Sequence, residues 1–323
     1  MIPATILGTI PATIPATILG DWILAIEGTP AGAQAAMALA LFSALAHAIL
    51  GALQKGRHDP WTSRGAIDLW AAILALPVAL LLVPAPDAFL WLVLAGAWMI
   101  QTAYKVLMAM AYSRGHYTLV YPIVRGTGPL ATVVFAGVVF GETFSGGQWL
   151  GVLLLSGGIF GLAVVNLRGI RVGRARLQAA VFFAVLTGIT VAIYTTYDAY
   201  GIRLAPDPFT FLAWFFVIDG VTMPIVAVLR HRRLAAAGRA PEWHGAGPLA
   251  LRGLAGALAG LGSFGAVMLA TRLDKVAEAA ALRETSVVFA ALIGWFFLGE
   301  RVGRTRALIM IVIALGAVRI EYG

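Results

Sequence analysis

The chain is a succession of apolar runs of about twenty residues, broken at short intervals by Pro, Gly and Arg-rich links. At 1.5 Å rise per residue, about 20 apolar residues cross a hydrocarbon layer roughly 30 Å thick, so such runs predict transmembrane helices. The pattern places them near residues 33–54, 66–83, 88–113, 118–140, 147–166, 178–201, 208–230, 247–271, 276–298 and 304–320. Ahead of the first run, Ile2 to Gly8 returns imperfectly as Ile14 to Gly20, with interrupting prolines and no Lys or Arg to form the basic start of a signal peptide. Residues 1–32 therefore read as a poorly ordered leader, the alternative being a short interfacial helix around Trp22.

Composition agrees with a lipid solvent. The 323 residues are 60% apolar and 12% charged, with mean hydropathy +0.90, beyond the roughly 45–50% apolar content of soluble domains. No stretch is left for a soluble domain. The net charge of +8 does not point to nucleic acid, because the cations cluster in links between apolar runs. Sixteen Lys and Arg, from Lys55 to Arg306, lie in or beside the links after the first, third, fifth, seventh and ninth helices, whereas Arg203, Arg272, Lys275 and Arg319 lie on the other side. The positive-inside rule then predicts cytoplasmic basic links in a cell inner membrane, with both termini outside. With no cysteine, the chain has neither disulfides nor thiol ligands.

The two halves repeat. A shift of 158 positions lays Arg125 on Arg283, Thr127 on Thr285, Gly141-Glu142 on Gly299-Glu300 and Gly158 on Gly316; a shift of 148 lays Asp59-Pro60 on Asp207-Pro208 and Lys55 on Arg203. The ten-residue difference falls most simply in the basic link Arg230 to Gly245. Five helices per copy is odd, so the copies enter the membrane from opposite sides. The predicted fold is thus an all-α integral membrane protein of ten transmembrane helices, built as two inverted five-helix repeats over 33–170 and 171–323. Such symmetry is typical of secondary transporters with a midplane site.

The run Leu119 to Pro129 (LVYPIVRGTGP), followed by Gly141-Glu142 and Gln148-Trp149-Leu150-Gly151, resembles the EamA family of the drug/metabolite transporter superfamily. His47-Ala48 with Lys55, together with Tyr121 to Gly126, is similar to a branch associated with phosphonate use. The resemblance covers about 35–320 and implies a ten-helix transporter of small metabolites, its cavity lined by helices 1, 3, 4, 6, 8 and 9. Leu50-Gly51 stands where relatives carry an aromatic-Gly pair, and relatives keep both termini in the cytoplasm, opposite to the charge pattern here.

Ionised side chains in the bilayer centre cost roughly 2.5–3.5 kcal/mol on insertion scales, so each needs a partner, water or a function. Arg125 and Arg283 occupy equivalent places in helices 4 and 9; a guanidinium there suits carboxylate or phosphonate through bidentate bonds, and an internal ion pair is the alternative. Gln101, Tyr104, Lys105, Met108 and Tyr112 share one stripe of helix 3, where Lys105 either meets an anion, carries a proton or snorkels. Thr187, Thr190, Tyr194, Tyr197 and Asp198 form a comparable stripe on helix 6, suited to orienting a polar substrate or to helix packing. Asp219, Glu284, Asp198 and His47 are candidates for charge balance or coupling, with Asp219 a partner for Arg283, Arg125 or Lys105. Glu284 points about 100° away from Arg283, so the two cannot share a partner. Glu142 and Glu300 read as caps of the helices that follow them.

These residues predict a secondary transporter, exporter or exchanger, of a small anionic or zwitterionic metabolite such as an amino acid, organic acid or phosphonate. Protons are the candidate coupling ion, and the protein acts as monomer or homodimer, without metal, cofactor or nucleic acid. Efflux of cationic drugs is the alternative, disfavoured because helix 1 offers only His47 and Gln54 and no acid. A membrane-embedded enzyme or a scaffold is the alternative of another class; no catalytic cluster or phosphate-binding glycine loop supports an enzyme.

Overall fold

The computed structural model describes residues 17–54, 59–115, 117–167, 174–239, 245–298 and 303–323, and all regular structure among them is helical. The helices are α1 (Ile18–Ile26), α2 (Pro30–Gln54), α3 (Pro60–Leu81), α4 (Ala88–Arg114), α5 (Tyr117–Phe140), α6 (Gly146–Leu167), α7 (Arg174–Leu204), α8 (Pro208–Ala236), α9 (Ala246–Leu273), α10 (Val276–Arg283), α11 (Ser286–Leu298) and α12 (Arg304–Tyr322).

Eight of them, α2 to α9, are long and apolar enough to cross a bilayer, two fewer than the ten expected. One shortfall is the ninth expected span, which is broken. α10 stops at Arg283, and the amides of Glu284 and Thr285 bond three residues back, to Ala281 O at 3.0 Å and Leu282 O at 3.1 Å. Thr285 Oγ1 also donates to Leu282 O at 2.7 Å, so a hydroxyl competes for a carbonyl that a continuous helix would use. The other is α12, whose 19 residues include Arg304, Arg306, Arg319 and Glu321.

Local chemistry explains the helix starts. Asp59 Oδ2 accepts from the amides of Trp61 and Thr62, both at 3.1 Å, with Pro60 next to it. α3 accordingly begins at Pro60, six residues before the apolar run that predicted it. Asp207 repeats the device at α8, accepting from Phe209 N at 2.8 Å, and Asp87 caps α4 through Leu90 N at 2.7 Å. Residues placed in the leader also form structure: Thr17 caps α1, and its amide donates to Asp207 Oδ2 at 2.6 Å. Ile23 of α1 is buried in the core. Residues 1–16 lie outside the described residues.

Outward positions on the spans are apolar. On α3, Leu69, Ile73, Leu76 and Leu80 are exposed while Ser63, Asp68, Ala75 and Ala79 are buried, an inside-out arrangement that fits lipid tails around the bundle. Inside, α3 packs on α8, α6 on α12, α2 on α9, α4 on α7, α5 on α7, α2 on α10 and α11, α3 on α9 and α4 on α8. Glycine permits the closest of these approaches. A Cβ on Gly316 of α12 would lie 2.6 Å from Leu155 N and 2.8 Å from Gly151 O of α6, the backbone proximity that small residues give membrane helices.

Where α7 and α9 finish side by side, each closes the other. Arg203 of α7 donates to Thr271 O at 2.9 Å and Asp274 O at 2.8 Å. Arg272 of α9 donates to Ile202 O and, at 3.0 Å, to Ala205 O. Helix C-termini leave carbonyls without intrahelical donors, and here the neighbour's guanidinium supplies them. Glu142 adds to the same end. It was expected to cap its own helix, but its carboxylate reaches α10, accepting from Val276 N at 2.7 Å and Ala277 N at 3.3 Å. α6 is instead opened by a reciprocal Ser145–Gln148 box: Gln148 N donates to Ser145 Oγ at 3.0 Å and Ser145 N to Gln148 Oε1 at 3.1 Å. The Gly299-Glu300 counterpart lies outside the described residues.

Candidate functional site

Among the described residues, three interior polar groupings hold the charged residues singled out from the sequence. The first joins the halves through Arg125 of α5 and Glu284 at the α10–α11 break. Arg125 Nη1 lies 2.8 Å from Glu284 Oε1 and 3.1 Å from Oε2, with side chains 9% and 4% exposed. The guanidinium also lies over the Tyr121 ring, 5.3 Å from its centroid, and meets His47 Nε2 of α2. His47 Nδ1 faces Ser263 Oγ at 3.3 Å, and its ring meets Phe264 edge-on. Of the two arginines read as anion contacts, Arg125 thus has an internal carboxylate.

The second grouping is a neutral tetrad between α3, α4 and α8. Lys105 Nζ lies 2.9 Å from Asp219 Oδ1 and 3.2 Å from Asp68 Oδ2, and Arg64 Nε lies 2.8 Å from Asp68 Oδ1. Lys105 neither snorkels nor stands unpaired, and Asp219 takes it rather than either arginine. Sequence reasoning missed Asp68 and counted Arg64 only as a loop cation. The signal was present, since Arg64 and Asp68 are spaced i, i+4, but the helix was expected to begin after Arg64, which hid the spacing.

The third grouping lies between α7, α9 and α10. Arg283 donates from Nη2 to Tyr194 Oη at 3.1 Å and sits over Phe264, 5.1 Å from the ring centroid. Among the described residues no carboxylate lies within ion-pair distance of it. Tyr194 is held edge-on by Tyr104 of α4, centroids 5.1 Å apart. Asp198, one turn along α7, accepts from Gln101 Nε2 at 3.0 Å through Oδ2, while its Oδ1 is buried without a donor. Two cavities of about 10 Å³ each flank Arg283. One is lined by Thr195, Gly128, Thr132 and Glu284; the other by Thr195, Tyr194, Asp198, Phe264 and Met268. Each has room for about one water in this conformation.

The helix 6 stripe divides. Tyr194 and Asp198 face this centre, whereas Tyr197 packs on α4, its hydroxyl filling the space a side chain on Gly96 would take. Thr187 and Thr190 donate to Phe183 O at 2.6 Å and Leu186 O at 2.8 Å, so their hydroxyl protons serve their own helix. On α4, Gln101, Tyr104 and Lys105 all reach polar or aromatic partners, while Met108 and Tyr112 join an apolar cluster around Leu119 and Val124.

An apolar exterior around eight spanning helices and a buried polar interior define a multi-pass membrane protein. Residues 178–321, most of the second half, match the EamA-like transporter family, as the sequence resemblance predicted. A protein of solved crystal structure is similar over 88% of this chain and 97% of its own, at 16% identity and a TM-score of 0.69; likeness at that identity concerns the fold. No curated protein matches the chain significantly.

Proposed function

We propose that the protein is a secondary transporter of a small anionic or zwitterionic metabolite, working by alternating access, with Arg283 as the group that recognises the substrate's acidic end. The observation that carries this reading is the difference between the inward-facing cations. Arg125, Arg64 and Lys105 each have a carboxylate at 2.8–3.2 Å, whereas Arg283 has a tyrosine hydroxyl, an aromatic face and two small cavities. Leaving a buried guanidinium without a counter-ion is unfavourable unless a ligand supplies one during the cycle. A cationic drug would be repelled by the same charge, which disfavours the efflux alternative.

Alternating access is supported by the helix contacts. Exchanging α2 with α7, α3 with α8, α4 with α9, α5 with α10–α11, and α6 with α12 turns the α2–α9 contact into α4–α7. It likewise turns α5–α7 into the contacts of α2 with α10 and α11, and α3–α9 into α4–α8. Together with the 158-residue sequence offset, this supports ten crossings in two inverted copies, α10 and α11 jointly forming the ninth. The broken span places its turn beside Arg283, where interrupted helices of inverted-repeat transporters hold their ligands. The cation-rich links support an inner-membrane location with those links in the cytoplasm.

The test is counterflow in proteoliposomes with labelled amino acids, organic acids, phosphonates and cationic drugs. Arg283→Gln is expected to lower anion exchange at least tenfold. Exchange of an anion by that variant with unaltered apparent affinity refutes the assignment, and exchange of cations alone favours the efflux reading.

A further inference from the structure

Arg283 and Asp198 are two halves of an ion pair that is not made. Both are buried, with 4% and 2% of their surface exposed, and both line the same cavity. Neither is satisfied by the other. Arg283 uses one nitrogen on a tyrosine hydroxyl, and Asp198 Oδ1 has no donor. The remaining charged and titratable groups on helices packed around this part of α7 are already engaged. Lys105 on α4 and Asp219 on α8 hold each other, and Arg125 on α5 holds Glu284. Arg272 at the end of α9 pairs with Glu27, and Tyr104 packs on Tyr194. Among the described residues, Arg283 is thus the cation that shares a cavity with Asp198 and holds no carboxylate of its own.

We propose that Asp198 is a proton-binding site whose protonation accompanies binding of the substrate's acidic group to Arg283, so that one proton moves with each anion. This rests on the transporter reading above. When the site is empty, the Asp198 carboxylate lines the cavity it shares with Arg283 without pairing with it. An arriving anion forms charge-assisted hydrogen bonds to Arg283 and brings a second negative charge beside Asp198, in a setting with little water to screen it. Asp198 then takes a proton from the solution facing the site, its carboxylate becoming a carboxylic acid with Oδ1 as the free position, while Gln101 keeps its bond to Oδ2. Arg283 remains protonated throughout. A monoanion thus enters with no net change of charge. The proton is favoured over a substrate ammonium as the occupant of Asp198 because Arg283 lines the same cavity and repels a second cation there.

The experiment uses the full chain in detergent, in weakly buffered solution with a pH dye, titrated with acetate, succinate and methylphosphonate. For any of these that binds, the wild type is expected to take up about one proton per anion bound. Its affinity is expected to weaken about tenfold per pH unit once Asp198 is ionised in the empty site, the slope for one linked proton. Asp198→Asn, fixed in a neutral form, is expected to bind with a flat pH profile and no proton uptake, while Asp198→Glu restores both. Anion binding by the wild type without proton uptake overturns this inference and leaves the transporter reading standing. Persistence of uptake in Asp198→Asn overturns it equally. If none of the three anions binds the wild type, and none exchanges in proteoliposomes, the anion reading itself falls and this inference with it.

Discussion

The Arg125–Glu284 pair should behave as a unit that tolerates loss of both charges better than loss of one. At 2.8 Å and an effective dielectric of about 20, the attraction is roughly 6 kcal/mol, most of it offset by desolvating two ions. Removing one member forfeits the attraction but leaves the other ion buried, which costs about 3–5 kcal/mol. Among the described residues, Glu284→Gln leaves Arg125 with His47 and the Tyr121 ring. Arg125→Gln leaves Glu284 without the Nη1 donor that both of its carboxylate oxygens share. The double variant has no orphaned charge and is expected to lose less than either single one, giving a coupling energy above about 3 kcal/mol. The measurement is SDS-driven unfolding in mixed micelles, followed by the fluorescence of the nine tryptophans. Single-variant losses below about 1 kcal/mol that add within about 0.5 kcal/mol would show the pair to be energetically idle and refute the reasoning.

Three further outcomes are expected. Gly316→Leu drives a side chain into α6, where Leu155 N and Gly151 O lie 2.6 and 2.8 Å from a Cβ; the overpacking is expected to lower stability by about 1–3 kcal/mol in the same unfolding assay. Burial raises the Glu142 carboxyl above its ordinary value, against the bonds from Val276 and Ala277 that lower it. The folded state therefore keeps a proton that the unfolded chain has released, and stability falls as pH rises from the ordinary value to the raised one. Glu142→Gln is expected to flatten that part of the pH–stability curve, and an unchanged slope counts against it. Replacing Arg203 and Arg272 together with Gln is expected to raise the labelling rate of a cysteine placed at Thr195 by a membrane-impermeant maleimide, read by gel shift; an unchanged rate means these arginines do not hold that end closed.

Much of the fold could be read from the chain because lipid imposes a length and a polarity that soluble cores do not. Nine of the ten apolar runs became single helices with ends within six residues of those expected, and the Asp of both Asp-Pro dipeptides became an N-cap. The interruption at Glu284 was invisible, since Ala277 to Leu298 is apolar enough to continue. What stops the helix is a threonine hydroxyl bonded three residues back and a carboxylate drawn to Arg125, the second contact set by tertiary position. The site was legible as a set of residues but not as a set of pairs. Arg125, Arg283, Lys105, Asp219, Glu284 and Asp198 were all singled out by the expense of charge in hydrocarbon. That Glu284 takes Arg125, leaving Arg283 with Tyr194, depends on which faces of α5, α7 and α10 meet. Glu142 shows the same limit: a helix dipole explains why it caps, but not that the helix comes from the other half.

The crossed arginines at the ends of α7 and α9 carry a kinetic consequence. Each helix lends the other its closing donors, so neither can swing away while keeping its own terminus satisfied. Breaking one bond takes from a helix end the donor its neighbour supplied, and it does nothing to free the second helix. A half-open state is thus disfavoured from both sides. The two ends part together or stay together, in the manner of a latch rather than a hinge that yields by degrees.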